Sequence, residues 1–283
     1  CITANQAAAE IVGAESPQKM LQQNFRSISS WQPTGLLTKA EAALKSDQEQ
    51  QVESQFTTTF GKQIYLHGAF NTFVQAGKQH LLFSFADITE VQQSRTELSK
   101  AYDATIEGWA RALELRDPLT EGHTRRVADR TVQLARLLGF SEEELILIYR
   151  GAILHDIGKI AISDTILNKP DVLDETEIQE IQHHPDYAVD MLAPIEYLSP
   201  AMDIPHYHHE RWNGSGYPAG LKGDAIPYAA RIFAVVDVWD ALRMDRPYRK
   251  SWSRKKTHDY LAENQGKLFD PQVVSAYFKL LAA

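Results

Sequence analysis

The chain has 283 residues and a formal net charge of −8, from 37 acidic and 29 basic side chains. That length suggests two domains. The acidic balance argues against a general DNA or RNA binder, which carries a basic field. A single cysteine, Cys1, rules out an internal disulfide and points to a reducing compartment. No run approaches the roughly 20 apolar residues of a membrane-spanning helix. The sequence opens on Cys1-Ile2-Thr3 without an initiator Met. It is therefore expected to be a piece of a longer protein, such as the cytoplasmic part of a sensor.

Residues 1–90 read as a small α+β module. Ala7–Val12 is helix-prone and closes on Gly13. Strand-like runs follow at Phe56–Phe60, Ile64–Leu66 and Ala69–Val74, and Leu81–Phe85 returns after a hairpin turn at Ala76-Gly77-Lys78. The Asn5-Gln6-Ala7-Ala8 opening with Gly13, and the exit Phe85-Ala86-Asp87-Ile88-Thr89-Glu90, resemble a PAS domain. That resemblance implies sensing or dimerisation and names no ligand. His67 and His80 are better read as ordinary strand residues than as haem ligands.

Residues 91–116 are expected to form one long connector helix. Val91, Leu98, Thr105 and Ala112 recur every seven residues, with Ser94, Ala101 and Gly108 in a second, small position. Leu98, Tyr102, Trp109 and Leu113 supply the larger apolar groups. The pattern fits a parallel pairing of two connectors in a homodimer. Packing of the second half of the helix on its own domain is the competing reading.

Residues 117–283 read as all-helical. Val127, Thr131, Leu134 and Leu138 share a face that ends at Gly139, and Ser141 with Glu144 forms a capping box. Asp174 with Glu177 starts another helix, and Pro227 suits a first helical turn. Within the apolar stretch Ala152–Ile160 stand His155, Asp156 and Lys159. An unpaired charge there is costly, and a metal ion is its most effective partner. Seven of the ten histidines fall between His123 and His209. Imidazole with carboxylate suits Zn, Fe, Mn or Ni.

The spaced stretches here resemble the HD-GYP family, the cyclic di-GMP phosphodiesterase branch of the HD metal-dependent phosphohydrolases. They are Arg116-Asp117-Pro118 with Gly122-His123 and Arg126; His155-Asp156-Ile157-Gly158-Lys159; His184-Pro185; His208-His209-Glu210-Arg211; Gly214-Ser215-Gly216-Tyr217-Pro218; Asp237–Leu242; and Arg246-Pro247-Tyr248-Arg249. The resemblance implies an HD-type helical domain holding two divalent transition metals, Fe or Mn before Ni or Zn. It makes His123, His155, Asp156 and Asp237 ligands of the first, and Asp156, His184, His208 and His209 ligands of the second. Asp156 would bridge them, and Lys159 would lie beside the scissile phosphate. Tyr217, Arg246 and Arg249 match substrate contacts, while His183 and His206 match no ligand position. Leu119 stands where some members carry a glutamate for a third metal, so two metals are expected. Arg243 departs from the family pattern without an evident consequence.

The implied reaction is hydrolysis of cyclic di-GMP to pGpG by a shared hydroxide, with GMP as a further product left open and the PAS-like module as regulator. The Gly-Tyr-Pro loop is also a candidate docking point for a diguanylate cyclase. The alternatives are another cyclic dinucleotide or pGpG as substrate, or a module that binds dinucleotide or partner without turnover.

Overall fold

The computed structural model describes residues 1–117, 122–245 and 250–282. It divides the chain into two units, Cys1–Ala101 and Tyr102–Ala283. The described helices are α1 (Gln6–Val12), α2 (Pro17–Leu21), α3 (Leu36–Ser46), α4 (Thr89–Arg116), α5 (His123–Leu137), α6 (Glu142–Ile153), α7 (Asp164–Leu167), α8 (Glu175–Gln182), α9 (His184–Leu192), α10 (Asp203–Tyr207), α11 (Tyr228–Arg243), α12 (Arg254–Glu263) and α13 (Pro271–Ala282). The strands are β1 (Gln50–Thr57), β2 (Gln63–Gln75) and β3 (Lys78–Asp87).

In the first unit, α1 is capped at one end by the Asn5 side chain, which accepts from the Ala8 N–H, and at the other by Gly13 at φ 78°. The strands form an antiparallel sheet in the order β1-β2-β3. Ala76 and Gly77 both take positive φ between β2 and β3, which suits a two-residue hairpin. Ile64, Leu66 and Phe70 bury alternate positions of β2 against Leu36, Ala40 and Ala43 of α3. Trp31 meets Phe70 and Phe83 edge-on at 5.5 and 5.6 Å.

Two strand expectations change here. The first strand lies earlier than Phe56–Phe60 and ends where Thr58 N–H donates to Lys62 O in a tight turn. Its glutamine-rich sequence hides it, because only Val52 is buried. Ile64–Leu66 and Ala69–Val74 are parts of a single strand. Gly68 carries the pairing through, opposite Val52 on one side and Phe85 on the other.

From residue 108 onward the chain is mostly helical. The helix α4 carries two distinct faces. Ile106, Ala110 and Leu113 are buried, so Leu113 serves its own domain and not an exposed seam. Val91, Leu98, Tyr102 and Trp109 are 39–57% exposed. At 100° per residue these four fall on one stripe. Helices α5 and α6 are joined at Gly139, which adopts φ 92°. Pro227 sits one step earlier than expected, as the extended residue before α11. Residues Ile232, Phe233, Val235 and Val236 of α11 are buried in the helical core.

The start of α6 is fixed locally. Ser141 Oγ accepts from Glu144 N–H, and the Glu144 carboxylate accepts from Ser141 N–H. Ser141→Ala is expected to cost about 1 kcal/mol. The check is a thermal melt, in which the midpoint should fall by roughly 2–4 °C.

Candidate metal centre

Helix ends bring the cluster together. His123 is the first residue of α5, placed by Gly122 in the left-handed region at φ 65°. His155 and Asp156 occupy the turn that follows α6. His184 opens α9, His208 and His209 close α10, and Asp237 projects from the middle of α11. Adjacent histidines can both face inward only because the helix stops there. The His208 and His209 rings lie 4.0 Å apart, centroid to centroid.

The ring orientations are fixed from behind. His155 Nδ1 donates to Ala152 O at 2.9 Å, and His184 Nδ1 to Ile181 O at 2.7 Å. His208 Nδ1 lies 3.0 Å from Ile204 O. His123 Nδ1 lies 2.7 Å from Asp240 Oδ2. A backbone carbonyl can only accept, so Nδ1 keeps the proton and the Nε2 lone pair points inward. This is the tautomer a metal ligand requires.

Two groups of donor atoms result among the described residues. One is His123, His155 and Asp237; the other is Asp156, His184, His208 and His209. Asp156 faces both. Its Oδ1 lies 3.4 Å from His184 Nε2 and 3.9 Å from His208 Nε2, while its Oδ2 lies 3.1 Å from His155 Nε2. Lys159 Nζ donates to the same Oδ2 at 2.8 Å.

Electrostatics sharpen the fit. Burial, reinforced by neighbouring imidazoles, pushes His208 and His209 well below the ordinary histidine value, and burial lowers His184 too. All three are therefore neutral, with free lone pairs. Burial alone would raise the Asp156 carboxyl, but His155 and Lys159 hold it well below the usual range. Asp237 is likewise held ionised, at about 2, against the pull of burial, chiefly by its hydrogen bond with His123. In the second set, neutral imidazoles beside an ionised carboxylate suit a divalent transition cation.

His123 is the exception. Burial would lower it, but hydrogen bonds with Asp237 and Asp240 raise it to about 9. Its Nε2 lies 3.1 Å from Asp237 Oδ1 and carries a proton that a cation held by both residues would displace. Metal affinity is therefore expected to rise about tenfold per pH unit from pH 7 toward 9, where this proton is lost unaided. Titration with a competing chelator at several pH values checks this; a flat profile would be the contrary result.

The remaining expected positions divide as follows. The Tyr217 ring stacks on His209 at 4.6 Å and 26°. Arg246, Arg249 and Leu119 lie outside the described residues. His183 and His206 both turn to Asp186, at 3.5 and 3.4 Å, away from either donor group. In the first unit, His67 lies 3.8 Å from Glu53 and His80 stacks on Phe73.

Three residues had been noted without a role. Asp240 anchors His123, and Arg126 donates to it in turn at 3.0 and 3.3 Å. Its spacing of three from Asp237, on one helical face, was the available signal. Asp117 is buried 3.6 Å from Lys159 Nζ. Glu210 is 2% exposed and accepts from Ala219 N–H at 2.8 Å, tying down the Gly-Tyr-Pro loop. The cluster opens into a cleft of about 580 Å³, lined also by Asp117, Lys159, Leu167, Pro170 and Leu173.

The HD domain family model matches residues 108–273, more than half of the chain. The chain is 41% identical over 188 residues to the cyclic di-GMP phosphodiesterase response regulator RpfG of Xanthomonas campestris pv. campestris, covering 66% of this chain and 50% of that protein. It is 41% identical over 167 residues to the 3′3′-cGAMP-specific phosphodiesterase 2 of Vibrio cholerae, covering 58% and 32% respectively. It is 40% identical over 171 residues to a cyclic di-GMP phosphodiesterase of Thermotoga maritima, covering 59% and 46%. The chain thus spans 32–50% of the length of these curated relatives.

Proposed function

Because this chain belongs to the HD domain family, we propose that it is a metal-dependent phosphodiesterase of the HD-GYP type, hydrolysing cyclic di-GMP to pGpG. The observation that carries the reading is the convergence of seven ligand-type side chains into two sets, with Asp156 of one set 3.1 Å from His155 of the other. A second reading, 3′3′-cyclic GMP-AMP as substrate, is favoured by the names of some relatives.

His123, His155, Asp156 and Asp237 would hold one cation, and Asp156, His184, His208 and His209 the other. Bound there, two divalent cations supply Lewis-acid stabilisation of phosphoryl oxygens and a nucleophilic water at neutral pH. The protein supplies the rest. Lys159 is kept protonated by Asp156 and Asp117, against the pull of burial, and so offers a positive charge to a phosphodiester in the cleft. The Tyr217 hydroxyl is pushed up by burial and remains a neutral donor beside His209. Its ring offers an edge or face to a base. Leu167, Pro170 and Leu173 in the cleft lining offer apolar contact to the substrate.

The first unit is read as a PAS-like regulator, supported by its helix-flanked antiparallel sheet and by α4, which continues from that sheet into the helical unit. Homodimerisation is supported by the exposed stripe Val91, Leu98, Tyr102 and Trp109.

The deciding experiment loads purified protein separately with Fe, Mn, Ni or Zn. It then follows cyclic di-GMP, 3′3′-cyclic GMP-AMP and pGpG by chromatography. Turnover of cyclic di-GMP to pGpG is expected. Tight binding with no turnover under any metal would instead mark a receptor, and rapid turnover of an unrelated nucleotide alone would sink the reading.

A further inference from the structure

A second concave surface lies in the helical unit and shares only one residue pair with the machinery above. It is a groove of about 630 Å³ between α5, α11 and α13. Four arginines line it: Arg126, Arg130, Arg243 and Arg254. Two carboxylates accompany them, Asp129 and Asp240, and Asp240 is already engaged by Arg126 and His123. The local excess of positive charge stands out on a chain whose net charge is −8. Arg243 and Arg254 donate to the backbone carbonyls of Trp252 and Leu281, which holds their forks in place without neutralising them.

Tyr277 gives this groove a second, independent feature. The residue is fully buried, and its hydroxyl proton meets no acceptor among the described residues. Arg130 is the cation that faces the hydroxyl oxygen and donates toward it. Burial pushes the hydroxyl up, so it stays protonated and is a donor in search of an acceptor. Trp239, 7% exposed, packs edge-on against the Tyr277 ring at 5.6 Å and adds an aromatic floor.

Guanidinium forks and a neutral phenol are matched to phosphate oxygens, which only accept. The volume falls within the range of small-ligand sites, about 300–1,000 Å³. We propose that this groove is a second ligand site that binds a phosphate monoester of mononucleotide size. Arg130, Arg243 and Arg254 take the phosphate, Tyr277 donates to one of its oxygens, and the organic part lies over Trp239. The site also touches the metal centre. A phosphate that draws Arg126 competes with Asp240, and Asp240 holds His123 through its Nδ1.

The test uses the full metal-loaded chain and three probes: 5′-GMP, orthophosphate and guanosine. Binding is measured by calorimetry, and location by hydrogen–deuterium exchange. Saturable GMP binding is expected, with slowed exchange in α13 and the C-terminal half of α11, and with guanosine failing to bind. The double variant Arg130→Gln/Arg254→Gln should weaken this binding at least tenfold. Both side chains are exposed, so circular dichroism and the melting midpoint should not change. Tyr277→Phe keeps the ring and removes the hydroxyl; it should weaken GMP several-fold without lowering the midpoint. The proposal is overturned if GMP binds both variants as it binds the wild type. It is equally overturned if protection is confined to the metal-ligand segments, or if guanosine binds as tightly as GMP. Orthophosphate binding as tightly as GMP would overturn the mononucleotide size.

Discussion

Asp156→Asn is expected to remove both cations at once and to abolish turnover. The argument rests on its two oxygens. Oδ1 faces His184 and His208, and Oδ2 faces His155 and Lys159, so its two oxygens face histidines of both donor sets. Substitutions in the outer shell of metal sites typically cost 10–100-fold in affinity. Loss of a shared ligand should exceed the upper end of that range at each position. The amide is nearly isosteric, so a packing defect is not the cause. Lys159 keeps a carboxylate at 3.6 Å in Asp117, which limits the electrostatic penalty of the change. By contrast, Asp237→Asn should weaken the first set while leaving the second, in which it has no part. Metal counts by mass spectrometry, paired with cyclic di-GMP turnover, separate the cases. An Asp156→Asn protein that retains two metals and full rate would show that the carboxylate does not bridge.

How much of this was legible without coordinates depends on where each residue sits. The helical framework could be read because its signals are local. Ser141 with Glu144, Asp174 with Glu177, and the glycine after α5 each mark a boundary by chemistry within four residues. The donor cluster was legible because seven histidines in one region are improbable as surface residues. What brings them together was not legible. The anchoring of His155, His184 and His208 uses backbone carbonyls, which leave no trace in residue identity. Asp240 was hidden for a different reason, since its partner His123 lies 117 positions away. The strand β1 was misplaced because an edge strand with one buried residue carries almost no alternation. The two faces of α4 were resolved only by exposure. Its apolar residues are too numerous to be sorted by spacing alone, and Leu113 fell on the inner face.

Gly158→Ala is expected to be among the most damaging single substitutions in the helical unit, although it adds one methyl group. Gly158 lies in the short 3₁₀ turn Ile157–Ala161, directly after His155 and Asp156. A Cβ at this position would stand 1.9 Å from His184 O and 2.7 Å from Ala188 N. Both atoms are backbone, so no rotamer change relieves the overlap. The turn and α9 would have to move apart. Overpacking of a close contact costs about 1–3 kcal/mol and sometimes more. Two backbone obstacles at these distances place this case at or above about 3 kcal/mol. For a unit of this size that is a fall of roughly 6–12 °C in melting midpoint. The same displacement separates Asp156 from His184, whose Nε2 is only 3.4 Å from Oδ1. Metal affinity at the second set should therefore fall alongside stability, even at temperatures where the variant remains folded. Measuring both on one sample distinguishes this from simple unfolding. A variant with normal midpoint and normal metal content would mean that the turn has slack absent from the observed packing, and that the close approach of Gly158 to α9 does not hold the second donor set together.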